Sequence, residues 1–310
     1  MNNLELHYFL EDNSHSMDAV IKNRSEAELY KLIFEISHLI EIDIKVEIEA
    51  LKQGGIKDVF KFFSKKKNKR YVIYLGAIIS GVLINVLSSH ISEDKELTEL
   101  TKEEKKLNIK LLTKQLENES IPQKEENQIV ENLIILINDT QKIKFFKSRF
   151  YQQIIKEPKL YQISAVELYQ DYSLASEEKV IDRNMFELQI LENNDFEPIS
   201  IEDAYIQIIS PVLNNNNIKW KGVYNNKPIS FTLLDNEFKN EVLNKEHSFS
   251  NGTSIKCRLE IIKILDDLGT EVIKDARVFD VLEIFNDHQT KMTKKAKILK
   301  IQKHQLKLDL

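Results

Sequence analysis

Glycine and proline are scarce in this chain, seven and five of its 310 residues. Collagen-like and low-complexity proteins need far more of both, so those classes are excluded. Cysteine occurs once, at Cys257, which rules out an internal disulfide and fits a reducing compartment. With no His or acidic cluster beside it, that thiol reads as a buried strand residue. The first sixteen residues, MNNLELHYFLEDNSHS, lack a basic stretch followed by an apolar run, and so predict no signal peptide. GxxxxGK(S/T), GxGxxG, CxxC, HExxH and GxSxG are all missing. The sequence therefore predicts no enzyme, no cofactor and no metal. His7, His15 and His38 have no ligand spacing. Ser14, His15, Ser16 and Asp18 sit in one loop, too close in the chain to form nucleophile, base and orienter; helix capping accounts for them. The formal net charge of −5 is too mild to argue for or against nucleic acid.

What stands out against this background is Tyr71–Ile91, YVIYLGAIISGVLINVLSSHI, a run without Asp, Glu, Lys or Arg in a chain that is 30% charged. A helix of about 20 residues spans the hydrocarbon core of a bilayer. Lys65, Lys66, Lys67, Lys69 and Arg70 precede the run, and Glu93, Asp94 and Glu96 follow it. Gly76/Ser80 and Ala77/Gly81 are small residues four apart, the spacing that lets helices pack closely in a membrane, with Ile84 and Asn85 further along. Two readings follow: a membrane-active helix, or a helix buried in a soluble core, which Ser80, Asn85, Ser88 and Ser89 favour. The basic flank places the N-terminus in the cytoplasm. A single span would then export a long C-terminal part with no sign of extracellular life. Several copies bundled together, shielded until a trigger, avoid that conflict.

Along the chain, the fold class is α+β. Residues 1–63 predict a small N-terminal α/β unit: a strand over 3–10, an amphipathic helix over 17–40, and an alternating strand over 42–51. Residues 64–92 hold the basic flank and the hydrophobic helix. Residues 93–158 predict a helical stalk, whose Leu97, Leu100, Leu107, Leu111 and Leu112 form a stripe suited to packing against like copies. Residues 159–287 predict a β-rich domain, an antiparallel barrel or sandwich, with a short helix at 235–243 capped by Asp235. Residues 288–310 form a basic, partly amphipathic tail. Within the β-rich part, KWKGVYNNKP gathers Lys219, Trp220, Lys221, Tyr224 and Lys227. An aromatic between cations can stack a base and neutralise phosphates; Trp220 can equally be barrel core.

Two stretches carry a resemblance: HYFLEDNSHSMDAVIKNRSEAEL near the start, and SPVLNNNNIKWKGVYNNKPISFTLLDNEF with NGTSIKC near the end. Together they resemble a bacterial family of membrane effectors in anti-phage defence, most specifically the effectors of Hailong systems. The resemblance implies a homo-oligomeric ion channel or pore former, a tetramer, of the cytoplasm and inner membrane. It implies that single-stranded DNA or a nucleotide, made by a nucleotidyltransferase-like partner, holds the channel inactive. Tyr71–Ile91 would be the pore segment, and Lys65, Lys66, Lys67, Lys69, Arg70 and the Lys219–Tyr224 group the nucleic-acid contacts. The alternative is a soluble sensor or scaffold whose β-domain binds a partner.

Overall fold

The computed structural model describes residues 3–11, 16–49, 56–64, 73–84, 100–118, 120–193, 195–214, 218–286 and 289–298. The chain divides into two compact units, Met1–Asn193 and Asn194–Leu310.

Unit 1 is built on a five-stranded sheet in the order β2-β3-β1-β4-β5, formed by β1 (Asn3–Leu10), β2 (Ile44–Glu49), β3 (Ile56–Ser64), β4 (Leu160–Leu168) and β5 (Lys179–Asp182). Every pairing in it is antiparallel. Its helices are α1 (Ala19–Leu39), α2 (Leu75–Ile84), α3 (Lys102–Gln115), α4 (Gln123–Asn138) and α5 (Gln141–Ile154). Asp18 starts α1, its Oδ1 accepting from the N–H groups of Val20 (2.8 Å) and Ile21 (3.0 Å). Leu29, Leu32, Ile33 and Ile36 recur at helical spacing and are buried. Thr101 and Glu104 form a reciprocal capping box at the start of α3. The end of α5 is closed from a distance: the Arg183 guanidinium donates to the carbonyls of Ile155 (2.6 Å), Glu157 (2.6 Å) and Leu160 (2.7 Å).

The membrane-length helix is overturned. Among the described residues no helix is long and apolar enough to cross a membrane. Only part of Tyr71–Ile91 lies within the described residues, and α2 takes ten of them. That is about 15 Å of helix against the roughly 30 Å of a bilayer core. All of α2 except Ala77 is buried inside unit 1. The small residues serve this packing: a Cβ at Gly81 would stand 2.5 Å from Ile134 Cδ1, and one at Gly76 would stand 2.7 Å from Glu167 Oε1. Ser80 turns its hydroxyl to the Ala77 carbonyl (3.1 Å), and Ile84 is buried. The Tyr151 hydroxyl donates to the Leu83 carbonyl at the far end of the helix (2.7 Å). High hydropathy here reports burial in protein.

The domain limits move with it. β4 and β5, expected in the β-rich domain, complete the N-terminal sheet, with β4 pairing directly to β1. The expected stalk belongs to the same unit: α3 buries Ile109, Thr113 and Leu116, while Leu107 and Leu111 face outward.

Unit 2 holds β6 (Ile199–Ser210), β7 (Trp220–Tyr224), β8 (Lys227–Leu233), α6 (Asn236–Leu243), β9 (Ser254–Leu265), β10 (Glu271–Asn286) and β11 (Gln289–Met292). The ladder runs β6-β7-β8-β10-β9, and β9 returns to β6, so five strands close a barrel. The expected antiparallel arrangement holds for every pair but one: β8 and β10 run parallel, with Arg277 opposite Thr232 and Val278 opposite Leu233. A five-stranded barrel so connected, with a helix between its third and fourth strands, is of the OB kind. Asn225 and Asn226 both have positive φ, 48° and 59°, which gives β7 and β8 the two-residue turn that suits strand twist. Asp235 is 2% exposed; it caps α6 through Phe238 N–H (3.0 Å) and accepts from Val281 N–H (2.9 Å), tying helix to barrel.

Candidate nucleic-acid interface

The barrel strands alternate with period two. In β9, Ile255, Cys257, Leu259 and Ile261 point into the core, which leaves Lys256, Arg258 and Glu260 on the outside. Cross-strand register then assembles an outer strip. Tyr205 of β6 stands opposite Lys256, Arg258 stands opposite Asp280, and Arg277 of β10 stands opposite Glu260.

Rings and cations interleave along this strip. The Lys256 ammonium lies 5.9 Å from the Tyr205 ring centroid, and the Arg258 guanidinium 5.5 Å from that of Phe279. Tyr205 and Phe285 are 5.7 Å apart between centroids. Tyr205 is 55% exposed. From Arg277 to Phe285 the strand covers about 27 Å at about 3.3 Å per residue, room for several nucleotides of a single strand. Ion pairs thread the same strip: Lys256 with Asp203 (3.0 Å), Arg258 with Asp280 (2.8 Å), and Arg277 with Asp275 (2.8 Å). The Asp203 bond holds the Lys256 ammonium above its ordinary range. Partial burial pushes the Asp275 carboxyl up, but the bonds from Lys219 and Arg277 outweigh it and hold it below the usual carboxylate range.

The residues expected from the sequence are only partly here. Trp220 is 3% exposed and packs among Phe231, Phe238 and Phe249, at 6.2, 6.3 and 5.4 Å between ring centroids. It is core, because the first residue of β7 points inward, and it is withdrawn as a contact. Tyr224 is half-buried against the same cluster. Lys219 and Lys221 are exposed, and Lys221 has no ion-pair partner among the described residues. OB barrels commonly take oligonucleotides across their second and third strands. Here those strands offer Lys221, Ser230 and Thr232 without an exposed ring, and the aromatic strip lies on the first, fourth and fifth. Lys65, Lys66, Lys67, Lys69, Arg70 and Asn85 lie outside the described residues. Lys256, Arg258, Arg277, Tyr205 and Phe279 were missed; for Lys256 and Arg258 the signal was the alternation in SIKCRLEI, where each apolar residue up to Leu259 is followed by a charged one.

Cys257 is buried in the barrel, and burial pushes its thiol up to about 12, far from a thiolate at neutral pH. Among the described residues no group of His, Cys, Asp or Glu is arranged to hold a metal ion. Comparison with family models, curated proteins and solved structures returns no match for the chain.

Proposed function

We propose that the chain is a non-catalytic binding protein whose C-terminal barrel takes single-stranded nucleic acid along the strip from Arg277 to Phe285. The observation that supports this reading is the interleaving of rings and cations on the outside of an OB-type barrel: Lys256 over Tyr205, Arg258 over Phe279, and Phe285 beside Tyr205. Bases stack on rings whatever their identity, and cations neutralise the phosphates between them, so such a strip favours binding with little sequence preference. The pore-forming effector implied by the resemblance is not part of this proposal; the described part of its expected pore segment, α2, is packed inside unit 1.

The test is fluorescence anisotropy of a labelled oligothymidylate of about 12 nucleotides, within the span of one OB barrel. The full chain should bind it with an affinity that falls as salt rises. Tyr205→Ala should cost about 1–3 kcal/mol of binding and leave thermal unfolding unchanged, since the ring is more than half exposed. An affinity indifferent both to Tyr205→Ala and to Arg258→Gln would sink the reading.

A further inference from the structure

At one point of the barrel surface a single carboxylate holds two cations, one on a strand and one just before another. Asp275 of β10 accepts from Lys219 Nζ through Oδ1 and from Arg277 Nε through Oδ2, both at 2.8 Å. Lys219 immediately precedes β7, and β8 lies between β7 and β10 in the ladder. The two cations are therefore not ladder neighbours; they converge on one spot. Their side chains are 48% and 41% exposed, and Asp275 is 21% exposed. Water, and anything dissolved in it, can reach this spot.

A carboxylate offers two acceptor oxygens and one negative charge, and a phosphodiester offers the same to a lysine and an arginine. Exposed ion pairs contribute only about 0–1 kcal/mol, so exchanging this carboxylate for a phosphate loses little. Arg277 has a second, longer contact, from Nη1 to Glu260 Oε1 at 3.5 Å, so Asp275 is its closer partner. The remaining carboxylates of the strip are placed differently. The Asp280 side chain is 12% exposed and is bonded by both Arg258 and Lys295, whereas that of Asp203 is 66% exposed and holds Lys256 alone.

We propose that Asp275 is a resident competitor for phosphate, occupying the Lys219–Arg277 site in the free protein and giving it up to a phosphate of the bound strand. This rests on the nucleic-acid reading above and adds its regulation. Asp275 sets the threshold that a ligand must exceed: a strand that also stacks on Tyr205 and Phe279 displaces it, and a free phosphate does not.

Anisotropy with the labelled oligothymidylate, repeated over a range of NaCl concentrations, tests this on the full chain. Asp275→Asn should bind about three- to tenfold tighter than the parent. The dependence of log affinity on log salt should steepen by about 0.7 for each cation freed. In a background carrying Lys219→Gln and Arg277→Gln, the same substitution should change nothing. An Asp275→Asn protein that melts normally and binds no tighter than the parent overturns the competitor role and leaves nucleic-acid binding intact. Failure of parent and variant alike to bind overturns both proposals, whereas binding by the variant alone supports the competitor role strongly. Should Asp275→Asn melt early, Asp275→Ser is measured; loss of the fold in both identifies the carboxylate as a structural clamp and overturns the proposal.

Discussion

The two units use charge in opposite ways. Unit 1 buries it: Glu28, Asp58, Glu126, Lys147, Glu157 and Glu167 are all within its interior. Two border the apolar helix α2: Tyr74, just before it, donates to Glu126 (2.5 Å), and its Gly76 lies against Glu167. Unit 2 carries most of its charge outside; of its few buried acids, Asp235 accepts from the N–H groups of Phe238 and Val281 and Glu241 from that of Lys294, while Asp280 is held by the side chains of Arg258 and Lys295. Buried charge needs fixed partners and makes a rigid interior. Exposed paired charge can exchange partners at little cost.

The sharpest way to separate them is through their glycines. A Cβ at Gly222 would stand 2.6 Å from the Gln207 carbonyl oxygen, which is backbone and cannot yield. Gly222→Ala should cost unit 2 about 3 kcal/mol. Gly81→Ala meets side-chain atoms of Ile134, Cδ1 at 2.5 Å, Cγ1 at 3.0 Å and Cγ2 at 3.2 Å, rather than backbone, and should cost unit 1 about 1–2 kcal/mol. The chain's one tryptophan, Trp220, lies in unit 2, while most of the helix lies in unit 1. In denaturant titrations Gly222→Ala should therefore move the tryptophan fluorescence transition, and Gly81→Ala the far-ultraviolet helical signal. A shift of both signals by either variant would show that the units do not unfold separately.

Arg183→Ala removes three donors from the carbonyls that end α5 and should destabilise unit 1 by about 2 kcal/mol. The helical signal should fall at lower denaturant while tryptophan fluorescence holds.

A smaller effect follows from Lys147, whose ammonium burial drives down to about 7. Its folded-state value lies below its unfolded one, so between about pH 7 and 10.5 the unfolded chain binds more protons. Unit 1 should gain stability as pH rises through that window, and the full cost should persist below it. Lys147→Met should raise stability at pH 7 by about 1 kcal/mol and flatten the pH profile. A profile unchanged by the substitution would mean that the ammonium is solvated.

Much of this fold was legible because the signals were local. The period of α1, the alternation of β1 and β2, and the Asp235 cap of α6 all depend on residues within one element. The cap of α1 was expected at Ser14 or Ser16 and falls instead at Asp18. What was not legible needed the third dimension. Hydropathy marked Tyr71–Ile91 as excluded from water but could not say whether lipid or protein excludes it. The pairing of β4 with β1 joins the beginning of the chain to its middle, and no periodicity reports that. Trp220 looked like a contact because lysines flank it in sequence, but in a strand those neighbours point to the opposite face. The ligand strip draws on β6, β9 and β10, so its rings and cations are adjacent only after the barrel closes.

The order of the N-terminal sheet also bears on how the protein is made. β1 sits at the centre, paired on one edge with β3 and on the other with β4. On a ribosome, β1, β2 and β3 can form a three-stranded sheet early, yet the second edge of β1 has no strand to receive until residues 65–159 have been added. At about 5–20 residues per second that interval is about 5–20 s. During it, the nascent chain presents an open strand edge carrying Leu4, Leu6 and Tyr8, the kind of template on which unrelated chains aggregate. A slowly translated or heavily overexpressed message should accordingly depend on chaperones that act before the first half of the protein is complete.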